Sequence, residues 1–519
     1  MRSHPWIILA ALLLIACISC QGGSDASETC SDGSVYGYET HGSGHPDYYC
    51  VITSAEADAA VLHLPSVLEG YDVRIYSSHA FDGCTMESAI IPKNLREIED
   101  GAFAGCTFLK DAYFMGDRPV MGDPFPDGVR IHTVPGAAGW TDTEAIDVLT
   151  VDGVDYAMLP DGAVATGGVP TGGTVFIRAA VDGTEVVKVD DYAFAGTMQE
   201  DGTVDRRSDI DTVVMPEGLR SIGQRAFYYN DVSEARIPGT VADVQDEAFR
   251  ACYNLADAGF SGNLRYIGFE AFRDCHLIRA LDVPASVEFV GDGAFYICEG
   301  LETLRVGTDI APRMFGYCVS LKDVEFGGSV GEIGASSFYL CESLASVEIP
   351  EKVRGIGREA FRGCISLKNL DLNGTEDIGR MAFRGCMSLG TLTVPAAVGS
   401  IEGYAFADCT GLKEIYAYGT APKGDDTAFL NVDAVIHCKK DAVDSWKDSG
   451  FGLEVAGDLD GDPFPMAIIS VAAIAAVLLS LIVIMRLRRD ARMQEVAERK
   501  AHSYHRPIRR SSPCHRFPE

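Results

Sequence analysis

The feature that most restricts this chain is a recurring phenylalanine. Phe81 and Phe103 are followed by Phe194, Phe227, Phe249, Phe272, Phe295, Phe315, Phe338, Phe361, Phe383, Phe406 and Phe429, nearly all 22 or 23 residues apart. Ten of them have cysteine three positions later: Cys84, Cys106, Cys252, Cys275, Cys298, Cys318, Cys341, Cys364, Cys386 and Cys409. A unit this short cannot bury its own apolar side chains, so it must stack on copies of itself.

The fullest unit runs Ile349-Pro350, Val353, Ile356-Gly357, Ala360-Phe361, Cys364, Leu367, Leu370 and Leu372. A period of 20 to 29 residues with Leu-x-x-Leu-x-Leu reads as a leucine-rich-repeat solenoid. Pleat alternation points Leu367, Leu370 and Leu372 inward from a short strand and leaves Asn369 and Asp371 outside. Parallel strands about 4.8 Å apart then form columns of like side chains around a continuous core. Glycine after Ile222, Ile267, Ile333, Ile356 and Ile378 fits a tight corner, and proline after Ile237, Val283, Ile349 and Val394 ends a strand.

The unit Ile-Gly-x-x-Ala-Phe-x-x-Cys-x-x-Leu resembles the BspA-type leucine-rich-repeat family over most of the region between the chain ends. The resemblance implies a cell-surface protein with a broad role in adhesion, and it implies no particular ligand. The sequence departs from the pattern at Met314-Phe315 and Ser337-Phe338, where alanine is replaced, and at Tyr228 to Asn230, where cysteine is missing. Irregular rungs are expected there.

The repeats fall into two arrays with matching ends. Gly70, Val73 and Ala80-Phe81 open the first with the spacing of Gly183, Val186 and Ala193-Phe194 in the second. Tyr113, Gly116, Pro119, Phe125, Ile131-His132 and Trp140 echo Tyr416, Gly419, Pro422, Phe429, Ile436-His437 and Trp446. Solenoids need atypical ends to hide an open core, so these are caps. The expected layout is a signal peptide at 1–20, a short N-terminal array with end caps at 21–146 and a long array with end caps at 147–455. An acidic linker at 456–465, a transmembrane helix at 466–485 and a basic cytoplasmic tail at 486–519 complete it.

The two ends carry the evidence for that topology. Arg2 precedes the apolar run Ile7 to Ile15, too short to span a bilayer, as in a secretory signal. Ile18-Ser19-Cys20 resembles the end of a bacterial lipobox, with Cys17 where that motif has leucine, and makes Cys20 a candidate for lipidation. Met466 to Met485 carries no charge over 20 residues, about 30 Å as a helix. Acidic residues precede it and Arg486, Arg488, Arg489 and Arg492 follow, which places the tail in the cytoplasm and the arrays outside as a single-pass protein. Of 519 residues, 75 are acidic and 43 basic, a net charge of −32, and ten of the basic residues sit in the last 34. The arrays are therefore strongly acidic, which argues against nucleic acid as a partner.

Sixteen cysteines in an exported chain ordinarily read as disulfides. Ten of them share one ladder position, where the spacing exceeds the usual 3.5 to 4.5 Å Cβ separation, so free buried thiols are expected. Cys30 and Cys50, outside the repeats, are the better candidates for a bridge. His41 and His45 near Asp47 lack a third metal ligand, and Asp458-Leu459-Asp460-Gly461-Asp462 lacks the glutamate of a calcium loop. Thr197 to Arg207 is an insertion expected to bulge from the stack. No nucleophile-base set, phosphate loop or metal cluster appears, so no enzyme activity and no cofactor or metal are expected.

A binding module for an extracellular protein or glycan is the reading this pattern favours, with a self-associating structural envelope component as the alternative. The outward strand column of the long array reads Gly259, Asp282, Arg305, Glu325, Glu348, Asp371, Thr393 and Tyr416, with Asp323 in the parallel column. The acidic run Asp282, Asp323, Glu325, Glu348 and Asp371, flanked by Tyr416, is the candidate contact site for cations or a basic partner. Glu325, Glu348 and Asp371 would lie about 5 Å apart, repelling by roughly 1 kcal/mol per pair in water.

Overall fold

The computed structural model describes residues 26–459 apart from 31, 42–48, 171, 199–203 and 261. The signal peptide with Cys20, the membrane span 466–485, the tail and most of the acidic linker lie outside the described residues, as do His45 and Asp47. Among the described residues no helix is long and apolar enough to cross a membrane.

Each coil of the stack contributes two short parallel strands with a phenylalanine corner between one coil's pair and the next. On the wider face Ala280–Val283 pairs with Thr303–Val306 and this with Asp323–Phe326, in register. On the other face two-residue strands such as Gly355–Ile356, Asp377–Ile378 and Ser400–Ile401 pair in the same sense. Inward Leu281, Leu304 and Leu370 from one face meet Ile356, Ile378 and Ile401 from the other, all buried. Strand alternation thus gives each coil one apolar side, and stacking closes the core.

The phenylalanine corner is held by three hydrogen bonds to the next coil. Glu247, Phe249 and Ala251 donate their N–H groups to the carbonyls of Phe269, Ala271 and Arg273, each at 2.8 Å. Alternate residues can all face one way only because the backbone turns left-handed beside the ring, with φ of 53° at Glu247 and 59° at Ala251. The rings themselves form a column, with centroids 5.2 Å apart and planes within 3° for Phe361, Phe383 and Phe406. Apart from Cys84, which donates to the Ala55 carbonyl, each ladder cysteine Sγ donates to the phenylalanine carbonyl of the preceding coil: Cys252 to Phe227 at 3.1 Å, Cys364 to Phe338 at 3.3 Å and Cys409 to Phe383 at 3.2 Å. All these thiols are free. Burial pushes Cys252, Cys318 and Cys364 up to about 12, far from thiolate at neutral pH.

The departures from the repeat have definite outcomes. Asn230, fully buried, stands three residues after Phe227, and its Nδ2 donates to the Phe194 carbonyl at 2.8 Å. It supplies the donor that cysteine supplies elsewhere. Around Met314 and Ser337 the ring column widens to 5.6 Å, with a 25° tilt between Phe315 and Phe338. The glycines after isoleucine serve close stacking and not a left-handed corner. A Cβ on Gly357 would sit 2.6 Å from the Ala335 nitrogen of the preceding coil, and neither it nor Gly268 has positive φ. The insertion after Phe194 is a hairpin, Thr197–Met198 against Val204–Asp205. Its base is fastened by Arg206, which bonds Asp231 at 2.6 Å and lies 4.0 Å over the Tyr253 ring.

Two large hydrophobic cores form, one from Tyr36 to Phe114 and one from Val154 to Phe451, with a third, smaller one of Ile90, Met115, Ile146, Ala157, Leu159 and Val164 drawn from both arrays, and no sheet runs from one array into the other. Each begins with an antiparallel meander that feeds a parallel ladder. Ala26–Thr29, Val35–His41 and Tyr49–Glu56 lead to Tyr71–Tyr76, and Val148–Val151, Val154–Leu159 and Gly162–Gly168 lead to Thr184–Val189. At the far ends Trp140 and Trp446 donate their indole N–H to Gly116 and Gly419 carbonyls at 3.2 and 3.0 Å.

The candidate Cys30–Cys50 bridge is absent, and both are free thiols. Cys30 follows Thr29, which pairs with Val35, whereas Cys50 pairs with Thr40 at the other end of the same strand. Five residues of strand, about 17 Å, separate them.

The stacks meet side by side through the small apolar cluster that Ile90, Met115 and Ile146 form with Ala157, Leu159 and Val164, and through buried polar groups. The Gln224 Oε1 accepts from the Ser66 and Val67 N–H groups and the Ser66 hydroxyl, each at 2.7 Å, while its Nε2 donates to the Val67 carbonyl at 2.6 Å. Arg225 joins Asp72 of one stack to Glu247 of the other.

Candidate binding face

The outward side of the wide parallel face carries the candidate residues, and the pairing registers place them directly. Asp282 faces Arg305 and Arg305 faces Glu325, while Asp323 lies beside Thr303 in the neighbouring column. Further along, Asp371 faces Thr393, and Thr393 faces Tyr416. Asp282, Asp323, Glu325 and Glu348 are exposed, and Asp371 and Tyr416 are half-buried.

The column is interrupted in one place. Residues 345–349 form no strand, so Glu348 sits between the sheet that ends at Asp323–Phe326 and the one that begins at Asn369–Asp371. The acidic run is also partly compensated. Arg305 approaches Glu325 at 3.6 Å, and Glu302 is held between Lys322 at 2.8 Å and Arg279 at 3.1 Å. Those hydrogen bonds keep the Glu302 carboxyl below the usual range. Asp371 accepts the Asn373 N–H at 3.1 Å. The face is therefore acidic with embedded cations, not a bare row of like charges.

Residues that sequence reasoning left out extend it at both ends. Phe176 and Val214 are 51% and 43% exposed and pair in register at the start of the long stack. The repeat register applied to Thr212–Val214 would have placed Val214 there, but the ten-residue insertion obscured it. At the other end His437 faces Tyr416, with ring centroids 5.2 Å apart. Its Nε2 lies 2.5 Å from Glu414 and its Nδ1 2.9 Å from Asp458. Burial opposes a charge on this ring, yet the hydrogen bonds to Asp458 and Glu414 outweigh it and raise the imidazole above its ordinary value. The short stack repeats the arrangement, with His132 stacked 4.3 Å from Tyr113 and 2.8 Å from Asp111. Among the described residues no group of three or more His, Cys, Asp or Glu is placed to hold a metal ion.

The face thus has an apolar end, an acidic middle with cations, and an aromatic-histidine end, a surface suited to contact and lacking a reactive constellation. Solved structures similar to the chain include leucine-rich-repeat proteins of bacteria. A Treponema pallidum leucine-rich-repeat protein is 24% identical, with a TM-score of 0.33 over 43% of this chain and 91% of that one. A Bacteroides ovatus leucine-rich-repeat protein is 21% identical, with a TM-score of 0.29 over 73% and 93%. A leucine-rich cell-surface protein of Faecalibacterium prausnitzii is 20% identical, with a TM-score of 0.25 over 76% and 95%. No curated protein sequence matches the chain significantly. The BspA-type leucine-rich-repeat region matches residues 63–122, 184–302 and 308–435 in six copies, more than half of the chain, and the protein belongs to that family.

Proposed function

We propose that this protein is a membrane-anchored cell-surface binding module that holds an extracellular protein or glycan against the outward strand face of its long array. Membership of the BspA-type family supports a surface role in adhesion. The apolar stretch 466–485 with its basic flank supports single-pass anchoring, with the arrays outside and the tail in the cytoplasm. The observation that carries the contact site is the in-register alignment of exposed Asp282, Arg305 and Glu325 in one sheet, with Asp323 alongside, and of half-buried Asp371 and Tyr416 in the next. Such a face favours a partner with cationic groups, attracted by charge and fixed by the aromatic end.

The test displays the full chain on cells and presents an array of extracellular proteins and glycans. For the partner so found, the combined change Glu325→Gln, Glu348→Gln and Asp371→Asn is expected to leave folding intact. It should weaken binding by roughly tenfold at low salt, since each exposed charge contact is worth about 0.2–1 kcal/mol, and by less at high salt. Unchanged affinity would remove the site from this face. Ordered self-assembly without any array binding would support an envelope component instead.

A further inference from the structure

Between the two stacks lies a cavity of about 230 Å³, walled by both arrays. Its polar lining includes Asp32 and Tyr36 from the short array and Lys188, Arg220, Ser221 and Asp243 from the long one. Some of the polar groups there are already engaged: Lys188 pairs with Asp191 at 3.0 Å, and His63 bonds Asp161 at 3.0 Å. Others are not. The hydroxyl of Tyr36, a residue only 1% exposed, and the Ser221 Oγ are buried without a hydrogen-bond partner. The Asp243 carboxylate has neither hydrogen bond nor ion pair among the described residues. A buried polar atom left unpaired costs about 1–3 kcal/mol, so two such atoms at one cavity, with the half-buried Asp243 carboxylate beside them, point to a missing polar occupant.

We propose that this cavity binds one neutral sugar ring, or a polyol of that size. The volume equals that of about seven or eight waters, enough for a single ring. Lys188 with Asp191 and His63 with Asp161 are engaged with each other, which leaves Asp32 and Asp243 as acceptors and Arg220 as a donor around the cavity. Hydroxyl groups can serve both kinds of group, because each can donate to a carboxylate and accept from a guanidinium or phenol. Val61 and Val187 supply an apolar wall for the C–H face of a ring. Burial and the nearby charge of Asp32 push the Asp243 carboxyl up to about 6. The site lies outside the acidic strand face and does not depend on that reading.

The full chain in detergent is titrated with a panel of neutral monosaccharides, their methyl glycosides and short oligosaccharides, together with amino sugars, uronic acids and amino acids. Saturation-transfer NMR and calorimetry report binding. At least one neutral member is expected to bind, with Asp243→Asn and Ser221→Ala each weakening it roughly tenfold, while the strand-face triple variant binds as the parent does. Methyl glycosides and oligosaccharides separate a free sugar from the end of a glycan as its source. Binding by charged members alone, no binding by any neutral member, or affinity unaffected in both variants with native circular dichroism would each overturn the proposal.

Discussion

At the scale of the residue, the repeat demands a position, not a side-chain name. What the corner needs three residues after phenylalanine is a small buried donor aimed at the preceding coil, and both cysteine and Asn230 meet that need. The sequence alone marks Asn230 as a lapse because identity is visible there and hydrogen-bond direction is not. Ser337 is the opposite case. It takes the alanine position, is fully buried, and its Oγ has no hydrogen-bond partner. Ser337→Ala is therefore expected to stabilise the protein by about 1–2 kcal/mol, seen as a higher urea midpoint with an unchanged slope. A midpoint that falls would show that the hydroxyl has a partner in solution.

Among the elements, the caps depart furthest from the repeat. The closing cap was legible because Tyr113, His132 and Trp140 recur in the same order as Tyr416, His437 and Trp446, with only one-residue slips in the later gaps between motif residues. The opening meanders were not, since short antiparallel strands alternate with period two and leave no mark at 23 residues. The closing cap also titrates. His437 binds its proton more tightly in the folded state, so its contribution is complete below the ordinary imidazole value of about 6.5 and is lost as pH rises through the elevated one. Hydrogen exchange in Val435–Cys438 and Glu454–Ala456 should accelerate over that rise, beyond the intrinsic dependence on pH, and His437→Gln should abolish the excess. An identical profile in the variant would detach the ring from cap stability.

For the whole molecule, the period that predicts each stack says nothing about how one stack meets another. The polar groups that join them are about 150 residues apart in sequence and stand at the variable positions of the repeat, where the period fixes no side chain: Gln224 with Ser66 and Val67, and Arg225 with Asp72. Arg225→Met would remove the cation that bridges Asp72 and the fully buried Glu247, leaving them Arg74 at 3.5 Å and Arg250 at 2.8 Å, a loss expected to cost about 1.5–3 kcal/mol. Because each stack keeps its own core, calorimetry of that variant should resolve two transitions; a single transition at the parent temperature would show that the junction is dispensable. The thiol column, finally, makes the intact stack a one-way fuse. While the coils stay closed the sulfurs are protonated and out of reach, so an oxidising medium finds nothing to attack. A coil that opens releases several thiols together, and any mispaired bond formed before it closes bars its return. The useful life of such a protein is then set by how rarely it opens, whatever its equilibrium stability.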